Sequence, residues 1–196
     1  MERTPDGRYL MIGGRRWRAT DPQIPDALQT ELVAELMAAR RAVQSAHGDP
    51  AATARARSRV HDAKLALGER GEPWWEPPSA AGLQDRLAAA IRSLLRHRKP
   101  GSTICPSDAA RVAGGADWHS TMDTAREVAG GLAAQGLIEV RQGGVRVDPA
   151  EARGPLRLAR GPRWPDPDAG QGERDPLTSP SVGRIAGAAR RPPATR

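Results

Sequence analysis

The single cysteine of this 196-residue chain, Cys105, sits in GSTICPSDAAR (101–111), followed directly by Pro106, Ser107 and Asp108. A thiol beside a helix start could act as a nucleophile, because the positive end of the helix favours the thiolate. That chemistry needs a neighbouring base. The four histidines, His47, His61, His97 and His119, share no local motif with Cys105. One cysteine and four scattered histidines also lack the C-x2-C or H-x3-H spacing of a metal site. The glycine pairs Gly13-Gly14, Gly114-Gly115, Gly130-Gly131 and Gly143-Gly144 do not form a phosphate-cradling loop. The expectation is a small buried side chain at Cys105 that locks one helix onto another. No catalytic residue, metal or cofactor follows from the sequence, and the chain reads as a non-enzyme.

The other chemistry on offer is that of arginine. The net charge is +7, and Lys64 and Lys99 are the only lysines. Residues 1–78 carry net +1, residues 82–161 net +4 and residues 162–196 net +2. A basic excess favours polyanions, although an Arg-rich, Lys-poor composition also follows from a GC-rich coding sequence. The candidate nucleic-acid contacts are Arg141, Arg146, Arg153, Arg157 and Arg160, with Arg96, Arg98 and Lys99 after a preceding helix. A second cluster, Arg15, Arg16, Trp17 and Arg18, could stack on bases. Strand alternation favours Trp17 turned against the helices, with the arginines outside pairing Glu31 or Glu35.

These side chains need elements to hold them. Tyr9 to Ile12 and Arg15 to Arg18 flank Gly13-Gly14, the signature of a tight hairpin. Leu28, Leu32, Leu36, Ala39 and Val43 follow helical spacing. HGDP (47–50) interrupts them, with Asp49 able to cap and Pro50 suited to the first helical position. Ala56, Val60, Ala63 and Leu67 mark a second helix, antiparallel to the first, ended by Gly68 and Gly71. EPWWEPP (72–78) is a linker, with Trp74 and Trp75 folded back across the open end of the helical pair. A third helix over 82–98 buries Leu83, Leu87, Ile91, Leu94 and Leu95 and carries Arg86, Arg92, Arg96 and Arg98 on its outer face. Thr103 and Ile104 are extended. Ser107 caps a short helix, Asp108 to Ala113, and a longer one runs from about Asp117 to Gln135. Its expected outward positions are His119, Ser120, Asp123, Arg126, Glu127 and Gly130, a poor face for reading bases. LIEVRQ (137–142) is a strand. It pairs with PLRLARG (155–161) as a long wing, or with Val145 to Val147 through a tight turn at Gly143-Gly144.

The expected fold is mainly α with a small β content (α+β). An N-terminal β-hairpin and antiparallel helical hairpin (1–78) precede a winged helix-turn-helix-like module (79–161) and a disordered Pro/Gly/Arg-rich tail (162–196). Apolar residues make up 38% of the chain and Phe is absent, so small modules with thin cores are expected. Nothing resembles a secretory signal or a membrane span, and a lone cysteine fits a reducing compartment. The expected location is the cytoplasm. The expected partner is DNA or RNA held by phosphate contacts, or alternatively another protein or a second copy of the chain. No small-molecule ligand or membrane contact is inferred.

Three stretches carry a resemblance: GSTICPSDAAR, Ala125-Arg126-Glu127-Val128-Ala129, and VDPAEARGPLRLARG from Val147. With them the C-terminal half resembles an uncharacterised bacterial domain-of-unknown-function family with a winged-helix-like pattern and an ICPS-[DE]-x-A-R motif. DGRYLMIGGRRWRATDP and KLALGERGEPWW are similar to the segment that often precedes that domain. Chains of this pattern sometimes carry the label "biopolymer transporter Tol", but no feature here supports transport. The resemblance implies a fold and brings no catalytic residues with it. Gly130-Gly131 in the middle of a helix departs from the pattern and predicts a kink or a loose turn there, and the extended tail is another departure.

Overall fold

Gly13 and Gly14 adopt positive φ of 56° and 73°. This is the geometry a two-residue hairpin turn requires and only glycine reaches cheaply. They join β2 (Tyr9–Ile12) to β3 (Arg15–Arg18), and β1 (Glu2–Arg3) adds to the other side of β2. The computed structural model describes residues 2–149 and 151–165. The two-residue β1 has no periodicity to betray it in the sequence. Tyr9 lies opposite Arg18 and Leu10 opposite Trp17. The Tyr9 face is closed by Trp75, at 5.5 Å between ring centroids, while Trp74 donates its indole N–H to the Ala19 carbonyl at 3.0 Å.

The expected orientation of Trp17 is therefore corrected. Trp17 is on the opposite face and 46% exposed. Arg18 is the side chain that folds inward, donating to the carbonyls of Gly71 at 2.8 Å and Glu72 at 3.1 Å. Glu35 and Glu31 pair with Arg59 and Arg98 instead of with the hairpin.

α1 (Asp26–Ser45) and α2 (Pro50–Ala66) pack together along the stripes read from the sequence. Asp49 caps α2 by accepting from the Ala52 N–H at 2.9 Å, with Pro50 at the first helical position where no N–H is needed. α3 (Ala80–His97) starts at Ser79, whose hydroxyl accepts from the Gly82 N–H at 3.0 Å. It buries Ala89, Ala90 and Ser93 as well as Leu87, Ile91, Leu94 and Leu95. A helix apolar on more than one side must be covered on more than one side, and α3 packs against α1, α2 and the two helices that follow. Its arginines are turned to internal partners and do not form a solvated face. Arg86 pairs with Asp21 at 2.7 Å, Arg92 and Arg96 converge on Asp62, and Arg98 holds Glu31.

α4 (Pro106–Gly114) begins earlier than expected, because Pro106 itself fits the first helical position. The residue preceding it is therefore Cys105, and Ser107 lies inside the helix. Gly115, at φ 53°, ends it in a single 3-10 turn, Gly115–Asp117. The next helix, α5 (Met122–Ala134), starts five residues later than the sequence implies. Ser120 and Thr121 donate their hydroxyls to Asp117 and to the Trp118 carbonyl, each at 2.8 Å. Such local bonds compete with helix, so His119 and Ser120 belong to a turn. α5 itself runs unbroken through Gly130-Gly131, where a kink was expected.

Both pairings considered for the wing are present. β4 (Ile138–Gln142) carries β5 (Val145–Arg146) on one edge, through the Gly143-Gly144 turn, and β6 (Arg157–Arg160) on the other. Leu158 bridges on to Ile104, tying the extended residues before α4 to the sheet. Leu28, Leu32 and Leu36 of α1 share one hydrophobic cluster with Leu67, the buried face of α3, Ile138, Val140 and Leu158. Trp164 packs on the same cluster, and the Arg163 N–H donates to the Gly136 carbonyl. The rest of the expected tail, 166–196, lies outside the described residues. The architecture is α+β. No helix among the described residues is long and apolar enough to cross a membrane.

Candidate nucleic-acid interface

Residues directly opposite one another in antiparallel strands share a face. The register sets Arg141 opposite Arg146 on one side and opposite Arg157 on the other. Three arginines therefore stand in one row across β5-β4-β6, roughly 5 Å apart from strand to strand at the backbone. The face is open at Arg146 and Arg157 and covered at Ala159, which lies opposite Glu139. Ile138, Val140 and Leu158 alternate to the buried side.

Like charges placed directly opposite cost stability. Glu139, two residues before Arg141 on the same face, offsets part of that cost by accepting from the Arg141 guanidinium at 2.8 and 3.1 Å. Arg146 and Arg157 are exposed, and no carboxylate pairs with either among the described residues. Arg153 is exposed on the loop that follows β5, whose backbone is tied to the sheet where the Gln142 amide donates to the Arg153 carbonyl.

The remaining candidates occupy other roles. Arg160 alternates to the inner side and donates to the carbonyls of Leu95, Arg96 and Arg98 at the end of α3, the shortest bond being 2.8 Å. Those are the orphan acceptors of a helix C-terminus, and a cation there also meets the negative end of the helix dipole. Arg96 is held by Asp62. Arg98 donates twice to Glu31, at 2.9 and 3.0 Å, and once to the Thr103 carbonyl. The Glu31 hydrogen bond, aided by the charges of Glu31 and Asp108, holds the Arg98 guanidinium above its ordinary pKa despite burial. Lys99 is exposed just after the end of α3.

Cys105 is half-buried, not fully buried as expected, and its N–H donates to the Asp108 carboxylate at 3.0 Å. That bond satisfies a backbone donor at the start of α4. Among the described residues no group of three or more His, Cys, Asp or Glu side chains could hold a metal ion.

The helix that would face a groove is partly covered. Arg126 of α5 donates to the Gly154 carbonyl at 3.0 Å, and Pro149 lies where a Cβ at Gly130 would meet it, at 3.7 Å. A cleft of about 870 Å³ opens between α5 and the β4–β5 hairpin, with Arg126, Glu127, Arg146 and Asp148 around Ala134 and Val140.

The residues from 84 to 161, which contain all of these groups, match a family described as protein of unknown function (DUF3253). This segment is similar to that family. The expectation raised by GSTICPSDAAR and the stretches after it is thus met at the level of the family. The DUF3253 segment begins within α3 and closes just after β6. It contains the arginine row and Cys105 and leaves the N-terminal sheet, α1 and α2 outside. No curated protein matches the chain.

The burial of Asp21, Glu35 and Asp62 was not foreseen from the sequence. Spacing could have found two of them. Glu35 falls between Leu32 and Ala39 on the α1 stripe, and Asp62 falls beside Ala63 and Ala66 on the α2 stripe.

Proposed function

We propose that the chain is a non-enzymatic cytoplasmic protein that holds nucleic acid by its phosphates, through the arginine-bearing face of the β5-β4-β6 sheet. The observation that carries this reading is the row Arg146–Arg141–Arg157. A fold places like charges opposite one another at a cost, and a polyanion is the partner that relieves it. α3, the Ile104 bridge, α4, α5, β4 and β6 follow the order of a winged helix, with β5 added on the outer edge of β4. In this reading the wing is the contact surface and α5 is not. Asp123 and Glu127 on α5 oppose a phosphate-lined groove, and the segment after β5 touches α5 at Arg126 and beside Gly130. Phosphate contacts of this kind position a duplex without reading its sequence.

The test is anisotropy of labelled duplex with the full chain and with the triple variant Arg141→Gln, Arg146→Gln, Arg157→Gln. Loss of about tenfold or more in affinity at fixed salt, independent of duplex sequence, is the expected result. Undiminished affinity would reject the interface. A second reading, a protein-binding adaptor, is favoured by the mixed-charge cleft beside α5. It predicts a charged-to-alanine change at Glu127 that abolishes partner capture while leaving duplex binding intact.

A further inference from the structure

The three-stranded N-terminal sheet has two faces of different character. On one, the register groups Glu2, Tyr9, Met11, Arg16 and Arg18, and the Tyr9–Arg18 end of this face is built into the molecule, with Glu2, Met11 and Arg16 exposed: Trp75 packs on Tyr9, Arg16 lies 4.4 Å over the Tyr9 ring, and Arg18 bonds backbone carbonyls. The other face carries Arg3, Leu10 and Trp17 side by side in one row, with Ile12 and Arg15 in the next. Trp17 is 46% exposed and Ile12 44%. Arg3 and Arg15 are both exposed. The register puts no carboxylate on this face. Lys64 of α2 reaches within 5.5 Å of the Trp17 ring, and Glu69, which pairs with Lys64 at 3.2 Å, is the acid those contacts lead to.

In a chain with no Phe and five Trp, a half-exposed indole with Lys64 beside its ring and Arg3 and Arg15 on the same sheet face is poorly explained by packing. We infer that this face is a stacking site for single-stranded nucleic acid: a base lies on Trp17, and Arg3, Arg15 and Lys64 meet the flanking phosphates. The occupant follows from charge and shape together. Base stacking needs an open aromatic face, and the backbone of an unpaired strand needs cations on either side of it. A second copy of the chain is disfavoured. β3 is an edge strand, and pairing RRWR with itself sets arginine against arginine. The inference extends the nucleic-acid reading of the chain but uses residues outside the DUF3253 segment, so the two sites can fail separately.

The experiment uses the full chain and a labelled oligodeoxythymidylate of about a dozen nucleotides, within the span such surfaces cover. Trp17→Ala should weaken binding about tenfold, and Trp17→Phe should recover most of that loss. Because Trp17 is exposed, thermal midpoints should stay together, and the double variant Arg3→Gln, Arg15→Gln gives a second route that spares the aromatic ring. The wing triple variant should still bind the single strand, even if it has lost the duplex. Equal affinity of Trp17→Ala and wild type would overturn the inference. So would polyglutamate competing as well as unlabelled oligothymidylate, since an acidic peptide would then be the better occupant.

Discussion

Asp62 shows how single residues hold this structure together. Its carboxylate is nearly out of water, and Arg92 and Arg96 both bond it. Burial alone would raise its pKa. The hydrogen bonds and charges of Arg92 and then Arg96 outweigh that and hold it below the ordinary value near 3.8. The stabilisation this group supplies is therefore fully present above its unfolded-state pKa and is lost as the pH falls through the lower folded value. Asp62→Ala should cost about 3 kcal/mol at neutral pH, because two guanidiniums are left unpaired in a dry site. In urea melts between pH 5 and 2, wild type should lose more stability than Asp62→Asn; parallel losses would remove the pair from the account. Arg160 is a second such residue. Arg160→Lys should cost about 2 kcal/mol by the same assay, since one ammonium cannot reproduce a fork donating to the end of α3. Spacing put Asp62 and Glu35 on their helices' apolar stripes, but a stripe does not say that an arginine more than twenty residues away will reach it. For the same reason, Arg86, Arg92, Arg96 and Arg98 read as a solvated face until α3 is seen to be covered on several sides.

Among the elements, α5 and the β4 sheet separate what periodicity reveals from what it hides. The apolar spacing of Trp118, Met122, Ala125, Val128 and Leu132 was legible as a stripe; Ala125 and Leu132 are buried and the other three half-buried. The start of α5 was not, because hydroxyl side chains at Ser120 and Thr121 divert the backbone into a turn before the helix begins. Gly131 sits in an unbroken helix with open space around it, so Gly131→Ala should raise stability by about 0.5–1 kcal/mol in thermal melts. The wing gave two valid pairings in the sequence because β4 has two edges, and both are used. Only the register, which no composition rule supplies, brings Arg141, Arg146 and Arg157 into one row. Arg157→Gln should leave the fold intact and raise the thermal midpoint slightly, by relieving like-charge crowding, while weakening duplex binding. A lowered midpoint would mean that the row is stabilised by something other than a bound polyanion.

At the scale of the molecule, one hydrophobic cluster runs from α1 to β6, with α3 at its centre and its arginines committed to internal carboxylates. Of the bases in residues 82–161, Arg86, Arg92, Arg96, Arg98 and Arg160 serve the fold, while Arg141, Arg146 and Arg157 share one face of the β5-β4-β6 sheet. The orientation of Trp17 was not legible in the sequence either, since alternation fixes which residues share a face and not which face is covered. The most direct test of the central claim is the salt dependence of duplex binding by the full chain and by Arg141→Gln, Arg146→Gln, Arg157→Gln. The expected result is that log K falls linearly with log salt in both, and that the triple variant's slope is shallower by about 2–3, close to one counterion per arginine removed. Identical slopes would contradict it, because the row would then contact no phosphate.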